Sequence, residues 1–239
     1  MKPTLILLPG LVCDSAVWAA QVQALSPYAH CHVVDYGLLD SMGAMAQHVL
    51  DTAPAQTFAL AGHSMGGRVA LEVFRRAPHR VHHLALLDTG THPLAEGDAG
   101  AKERAGRMGL LQTAERKGMR AMAELWAKPM VHPSRHGTPV FAAVLDMLER
   151  SSAEQYAAQI NALLTRPDAA PVLSTITCPT LVLTGREDLW SPPEAHERMA
   201  AAIAHAELCI VEQCGHMSTL EQPDAVNAAF MRWLIDRSA

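Results

Sequence analysis

The sequence Gly-His-Ser-Met-Gly-Gly at residues 62–67 decides how the rest of the chain is interpreted. It follows an apolar run at residues 57–61 and opens a segment, residues 69–74, whose apolar side chains recur at helical spacing. A strand, a sharp turn and a helix are the setting in which G-x-S-x-G forms a nucleophile elbow. The turn holds the serine backbone in a strained conformation, and the flanking glycines let the strand and the helix approach without a Cβ clash. We therefore interpret Ser64 as a candidate nucleophile.

Apolar runs and helical patterns alternate on both sides of this turn. We predict six strands, at residues 4–8, 32–35, 57–61, 81–87, 180–184 and 207–212, with helices between most of them. Alternation of this kind is typical of a parallel sheet covered by helices on both faces. The predicted fold class is therefore α/β, with a mostly parallel six-stranded sheet.

The alternation stops after the fourth predicted strand. Residues 91–168 contain no strand-like run, and their helical patterns are interrupted by glycines and prolines. We predict that residues 91–168 form an inserted helical cap and that residues 1–90 and 169–239 form the core. Ligands of such sheets bind at the carboxyl ends of the strands. The points where the chain leaves and re-enters the core, near Thr89 and Thr177, should flank that edge.

Composition and charge exclude several classes of protein. Hydrophobic residues make up 49% of the 239 residues and charged residues 18%, which excludes a disordered chain. A net charge of −5 without a long basic run argues against a nucleic-acid partner. The five cysteines are odd in number and have no C-x-x-C spacing, which favours free thiols in a reducing compartment. The first apolar run is too short for a signal peptide, and no run is long enough to span a membrane. We expect a cytoplasmic protein with no membrane partner.

A serine hydroxyl becomes a useful nucleophile only when a base takes its proton and an acid orients that base. Two segments at predicted strand ends supply these groups. Residues 185–188 end in Asp188, and residues 213–216 end in His216. The chain order Ser64, Asp188, His216 is the one expected for an elbow of this type.

The chain resembles the α/β-hydrolases of the esterase and lipase type over nearly its whole length. The resemblance rests on four segments: Leu8-Pro9-Gly10-Leu11, residues 62–67, Gly185-Arg186-Glu187-Asp188, and Gly215-His216 followed by Glu221-Gln222-Pro223. It implies the α/β-hydrolase fold with Ser64 as the nucleophile. His216 would be the general base and then the general acid, and Asp188 would orient His216.

The chain departs from the family pattern in two places. Many members have His-Gly after the first strand, where this chain has Pro9-Gly10. Because a backbone donor does not depend on its own side chain, we still expect the N–H groups of Leu11 and Met65 to form the oxyanion hole. The antiparallel hairpin that often precedes the first strand is also absent, which leaves six strands.

Two other acids and a histidine lie near the candidate residues. Asp88 also ends a strand and is the alternative to Asp188 as the orienting acid. We favour Asp188 because Gly185-x-x-Asp188 matches the family pattern, and we expect Asp88 to brace the start of the cap. Glu187 should point away from the site. His63 should pack or form a hydrogen bond beside the elbow.

The cap contains a break at residues 126–133, where two prolines prevent a regular helix. We expect this break to hang over Ser64, with Trp126 and Met130 lining an apolar substrate pocket. Val12, Trp190 and Met217, which neighbour the candidate catalytic positions, would complete its wall.

The motifs of metal and nucleotide sites are missing from the sequence. It contains no H-E-x-x-H, no G-x-G-x-x-G and no phosphate loop, and its histidine pairs have no acidic or thiol partner at ligand spacing. We expect no metal and no cofactor.

These features predict a hydrolase of small to medium carboxylic esters that works through an acyl-enzyme on Ser64. An enol-lactone hydrolase and a carbon–carbon bond hydrolase remain alternatives, because the same triad serves both and the choice between them depends on the shape of the pocket. A ligand-binding protein without activity is a third class, against which the intact triad argues. The expected partner is a small-molecule ester or lactone, and the expected assembly is a monomer or homodimer.

Overall fold

A sheet of six parallel strands forms the centre of the protein, whose computed structural model describes residues 2–235. The strands are β1 Thr4–Leu8, β2 His30–Val33, β3 Phe58–His63, β4 Val81–Leu87, β5 Thr180–Gly185 and β6 Ala206–Val211. Their order across the sheet is β2-β1-β3-β4-β5-β6, and every pairing is parallel. The predicted α/β class and six-stranded sheet are therefore confirmed.

Helices cover both faces of the sheet. They are α1 Ala19–Leu25, α2 Met42–Thr52, α3 Met65–Arg76, α4 Gly97–Lys117, α5 Met119–Trp126, α6 Pro139–Glu149, α7 Ala153–Leu164, α8 Ala170–Leu173, α9 Pro193–Ala201, α10 Ser218–Glu221 and α11 Pro223–Ile235. Helix α1 packs against α11, and α2 packs against α3. With the right-handed crossovers that parallel strands adopt, the strand order assigns α1 to one face and α2, α3 and α9 to the other. Within residues 2–235, no helix combines the length and the apolar composition needed to cross a bilayer.

The inner strands and the edge strands differ in burial. All residues of β3 and β5 are buried, as expected of strands covered by helices on both faces. The edge strand β2 alternates between exposed and half-buried residues. It begins two residues before the predicted segment 32–35, because its side chains alternate instead of forming a continuous apolar run.

The elbow depends on a very close approach between α3 and the ends of β1 and β3. A Cβ atom on Gly66 would overlap the carbonyl oxygen of Leu8, and one on Gly62 would overlap the carbonyl oxygen of Gly66. Ser64, between them, has φ 54° and ψ −115°, which is a strained conformation for a residue with a side chain. The glycines therefore hold Ser64 at the tip of the turn.

The helices α4 to α7 all lie between β4 and β5 in the chain. The chain leaves the core and returns to it side by side, because the Ala169 N–H donates to the Thr91 carbonyl at 2.9 Å. Arg166 strengthens this junction by donating from Nε to the His92 carbonyl at 3.1 Å. The inserted segment is thus fastened at its base.

We predict that Gly66→Ala destabilises the protein by about 3 kcal/mol, because the new methyl group has no room beside β1. Gly109→Ala is the matched control, since Gly109 lies in α4 and an added Cβ there meets nothing within 4 Å. That control should be neutral or stabilising by up to about 1 kcal/mol. Urea denaturation measures both variants, and equal midpoints for the two would contradict the close approach.

Candidate active site

Three side chains from three loops at the carboxyl edge of the sheet form one hydrogen-bonded chain. Ser64 lies between β3 and α3, Asp188 follows β5, and His216 follows β6. Ser64 Oγ lies 2.8 Å from His216 Nε2, and His216 Nδ1 lies 2.8 Å from Asp188 Oδ2. When Nδ1 carries the proton and donates to the carboxylate, Nε2 is free to accept the proton of Ser64.

Charges around the imidazole prepare it for this role. Burial alone lowers the pKa of His216, but the charge and hydrogen bond of Asp188 outweigh burial and raise this pKa above 6.5. Burial alone raises the pKa of Asp188, but the charge of His216 and the hydrogen bonds it accepts lower this pKa overall. Asp188 Oδ1 accepts two of these bonds, from the N–H groups of Trp190 at 2.9 Å and Ser191 at 3.0 Å. Asp188 is therefore a fixed negative charge at neutral pH.

The loop that carries His216 is held by a buried carboxylate that the sequence analysis did not assign. Glu221 accepts hydrogen bonds from the N–H groups of Gly215 at 3.1 Å, Met217 at 3.1 Å and His132 at 2.8 Å. It is 3% exposed. Its position five residues after His216, within one of the four family-like segments, was the one signal in the sequence that pointed to it.

Met130 also braces this loop, through its backbone. Its carbonyl accepts the His216 N–H at 2.7 Å. The cap therefore contacts the backbone of the candidate base directly.

Asp88 is buried beside the site and does not contact His216 through a hydrogen bond. Its Oδ1 accepts the Gly185 N–H at 3.2 Å, and its Oδ2 accepts the Ser218 hydroxyl at 2.5 Å. Burial and the charge of Asp188 raise its pKa well above the ordinary value. Asp88 thus ties together the loops after β5 and β6, and does not brace the start of the cap as expected.

The neighbours His63 and Glu187 act through the backbone of the same loop. His63 Nε2 lies 2.8 Å from the His216 carbonyl, to which its N–H donates. Burial lowers the pKa of His63 to about 3, so it is neutral. Glu187 points away from the imidazole and accepts the Cys214 N–H at 2.9 Å.

The two expected oxyanion donors lie at the same cavity as Ser64. Met65 is the first residue of α3, where an N–H has no acceptor within the helix. The Leu11 N–H has no hydrogen-bond acceptor within residues 2–235. The next N–H, that of Val12, donates to Gln159 Oε1 of helix α7 at 2.7 Å. The buried Gln159, which no sequence pattern marked, thus fixes the loop that carries Leu11.

Ser64 opens into a cavity of about 940 Å³ between the core and the cap. Trp126 and Trp190 both line it and stack on each other with ring centroids 5.4 Å apart. Trp190 also contacts His216, with ring centroids 4.9 Å apart. Tyr156 meets the edge of Trp126 with its ring and also lines the cavity.

The structure separates the other three expected pocket residues from this cavity. Val12 lies on a second cavity of about 400 Å³, because its backbone turns toward Gln159 with φ 49°. Met130 and Met217 are 2% and 1% exposed, respectively, and pack in the hydrophobic core. Their backbone groups, not their side chains, serve the site.

The large cavity is also lined by charged side chains, although we expected an apolar pocket. These are Arg68, Lys102, Glu103, Arg107 and Arg166, which we call the cationic wall. These residues are far apart in the chain, so no sequence pattern pointed to them. Only the docking of α4 and α7 beside α3 brings them together.

Comparisons with known proteins agree with this architecture. A sequence model of the alpha/beta hydrolase family matches residues 5–229. The putative carbamate hydrolase RutD of Agrobacterium fabrum is 26% identical, over 98% of this chain and 93% of its own length. The 2-hydroxy-6-oxononadienedioate/2-hydroxy-6-oxononatrienedioate hydrolase of Escherichia coli K12 is 27% identical, over 84% of this chain and 71% of its own. A thermophilic esterase from Thermogutta terrifontis, solved with malate bound, aligns with a TM-score of 0.85 at 27% identity, covering 98% of this chain and 90% of that one.

We predict that Glu221→Ala lowers the free energy of unfolding by about 2–3 kcal/mol, because three N–H groups lose a buried acceptor. Glu212→Ala is the control, since this carboxylate lies just before the same loop but is exposed, and among residues 2–235 its one ion pair is with Arg186. Its loss should cost less than about 0.5 kcal/mol. Urea denaturation of both variants is the measurement, and a small cost for Glu221→Ala would show that the loop is held by other contacts.

Proposed function

Because this chain belongs to the alpha/beta hydrolase family, we propose that it is a serine hydrolase that cleaves small to medium carboxylic esters through an acyl-enzyme on Ser64. One observation carries the proposal. An unbroken hydrogen-bonded path runs from Ser64 Oγ through His216 to Asp188. Its serine end faces a cavity large enough for such a substrate.

The first half of the reaction acylates the enzyme. Ser64 Oγ attacks the ester carbonyl while His216 Nε2 takes the hydroxyl proton, which gives a tetrahedral intermediate with a negative oxygen. The N–H groups of Leu11 and Met65 donate to that oxygen. His216 then passes its proton to the leaving alcohol, and the carbonyl re-forms as an ester of Ser64.

The second half repeats the sequence with water. His216 takes a proton from water, the hydroxide attacks the acyl carbonyl, and the proton returns to Ser64 Oγ as the acid leaves. Throughout, Asp188 holds Nδ1 in the protonated tautomer and stabilises the imidazolium that forms twice in each cycle.

A second reaction class is favoured by one relative. The Escherichia coli protein is named for a keto acid substrate that has no ester bond, so its hydrolysis breaks a bond to carbon. The same triad can direct water to such a ketone carbonyl, or to an enol-lactone. The preference for esters rests on the 27% identity to an esterase that also spans nearly the whole chain.

A labelling experiment tests the nucleophile separately from the substrate. A fluorophosphonate probe should label the wild-type protein and Ser174→Ala, whose altered serine is exposed and lies away from the cavity. It should not label Ser64→Ala. Labelling that survives in Ser64→Ala would overturn the proposal.

A substrate panel then separates the reaction classes. We compare kcat/KM for three groups of substrates with one preparation of the protein. The groups are p-nitrophenyl esters of increasing acyl length, enol-lactones and an unsaturated keto acid. Turnover of the esters above that of the other two groups supports the proposal. Turnover of the keto acid alone would replace it with carbon–carbon bond hydrolysis.

We predict that kcat/KM falls as the pH drops through the pKa of His216, which lies above 6.5. The neutral imidazole is the form that accepts the serine proton, so protonation abolishes activity on the acid side. In Asp188→Asn the charge that raises this pKa is lost, so the acid limb should move to lower pH, and kcat should fall on the order of 10⁴-fold.

The measurement is the pH–rate profile of a p-nitrophenyl ester for three proteins. Glu194→Gln, which removes an exposed carboxylate on α9, is the charge-matched control and should leave both the limb and kcat in place. An acid limb in the same place in Asp188→Asn and in the wild type would contradict the role given to Asp188.

A further inference from the structure

The cationic wall holds more positive than negative charge. Glu103 is its single carboxylate, and it is shared by Arg107 at 2.9 Å and Arg166 at 2.8 Å. Two guanidinium groups are thus balanced by one carboxylate. Arg68 and Lys102 add two further cations to the same cavity. The wall therefore has an excess of positive charge facing the space above Ser64.

Arg68 is the member of this wall nearest to Ser64 in the chain. It lies in the first turn of α3, four residues after Ser64, and both residues line the cavity. Its Nη1 donates to the His92 carbonyl at 2.8 Å. Within residues 2–235, no carboxylate forms an ion pair with it.

The surroundings of Arg68 disfavour the charge of its guanidinium. Burial lowers the pKa of its guanidinium to about 9, and the positive charges of Arg166 and Arg107 contribute to the shift, opposed only by Glu103. The group is still charged at neutral pH. A bound anion would remove this penalty, because an opposite charge favours the charged form.

Tyr156 supplies a second, independent observation at the same cavity. Its side chain is 0% exposed and lines the same cavity, yet its hydroxyl has no hydrogen-bond partner within residues 2–235. Burial raises its pKa to about 12, so the hydroxyl keeps its proton and can donate. A buried hydroxyl without a partner is costly, so an acceptor on a bound ligand would stabilise it.

We propose that the substrate carries a carboxylate remote from the bond that is cleaved, and that Arg68 and the Tyr156 hydroxyl bind this carboxylate at the cationic wall. The chemical class is then a half-ester of a short dicarboxylic acid, or a lactone that keeps one free carboxylate. The apolar segment between the carboxylate and the reacting carbonyl would lie against Trp126 and Trp190. This inference rests on the proposed function, since it names the substrate class of the same site.

The test compares two esters that differ only at the remote end. p-Nitrophenyl valerate ends in a methyl group, and the mono-p-nitrophenyl ester of glutaric acid has a carboxylate in its place. We expect the wild-type protein to have the higher kcat/KM for the glutarate ester. In Arg68→Met the ratio of the two kcat/KM values should fall about 10- to 100-fold, the usual worth of a hydrogen bond to a charged group. Arg68→Lys keeps the charge but loses the planar pair of guanidinium donors, so its ratio should lie between those of the wild type and Arg68→Met.

Helix α4, which carries three residues of the cationic wall, also offers a matched control. Arg104 is exposed on α4 and does not line the cavity, so Arg104→Met removes one positive charge and should leave the ratio unchanged. Tyr156→Phe should lower the ratio by a smaller factor than Arg68→Met. An equal ratio in the wild type, Arg68→Lys and Arg104→Met would overturn the inference, even if Arg68→Met does not fold.

A binding measurement distinguishes failure of this inference from failure of the proposed function. Calorimetry of Ser64→Ala with glutarate should show binding that is weakened about tenfold or more by adding Arg68→Lys. If neutral esters are hydrolysed while glutarate does not bind and the ratio is one, the inference is wrong and the hydrolase stands. If no ester is hydrolysed while glutarate binds through Arg68, the proposed ester hydrolase is wrong and the carboxylate site stands.

Discussion

The close approach of helix α3 to strands β1 and β3 is the constraint on which the rest of the site depends. It is possible only because Gly62 and Gly66 leave room for backbone atoms where a side chain would stand. The approach forces Ser64 to positive φ, and neighbouring strands hold it there. The Ser64 N–H donates to the Leu87 carbonyl at 2.8 Å, and the Ser64 carbonyl accepts the Thr89 hydroxyl at 2.6 Å. The strain is thus offset by two strong contacts from the end of β4.

Buried carboxylates then fix the loop that faces the serine. Asp188 orients the ring of His216, Glu221 accepts N–H groups on both sides of it, and Asp88 accepts from the residues that follow. Burial raises the pKa values of Asp88 and Glu221, and the charge of Asp188 adds to the rise at Asp88. At Asp188 the charge of His216 and the hydrogen bonds it accepts outweigh burial and lower the pKa, so the negative charge is held there. These contacts fix the position of the His216 imidazole, and the charge of Asp188 raises its pKa.

The cavity combines two kinds of surface. Trp126 and Trp190 form an aromatic side in contact with His216, whereas Arg68 and its neighbours form a cationic side. An aromatic side favours an apolar segment of substrate, and a cationic side favours a negative end. The inserted segment therefore contributes to both surfaces, with Trp126 on the aromatic side and Arg107 on the cationic side.

The sequence by itself determined the parallel sheet, the strands at 4–8 and 81–87 to the residue, and the loops that meet at its carboxyl edge. It could do so because continuous apolar runs and strand-end motifs are local signals. Only the tertiary structure decided three other features. They are the hydrogen bond between Gln159 and Val12, the hydrogen bond between Glu221 and His132, and the assembly of the cationic wall. These contacts join residues up to 147 positions apart through the docking of the cap, which no local pattern encodes.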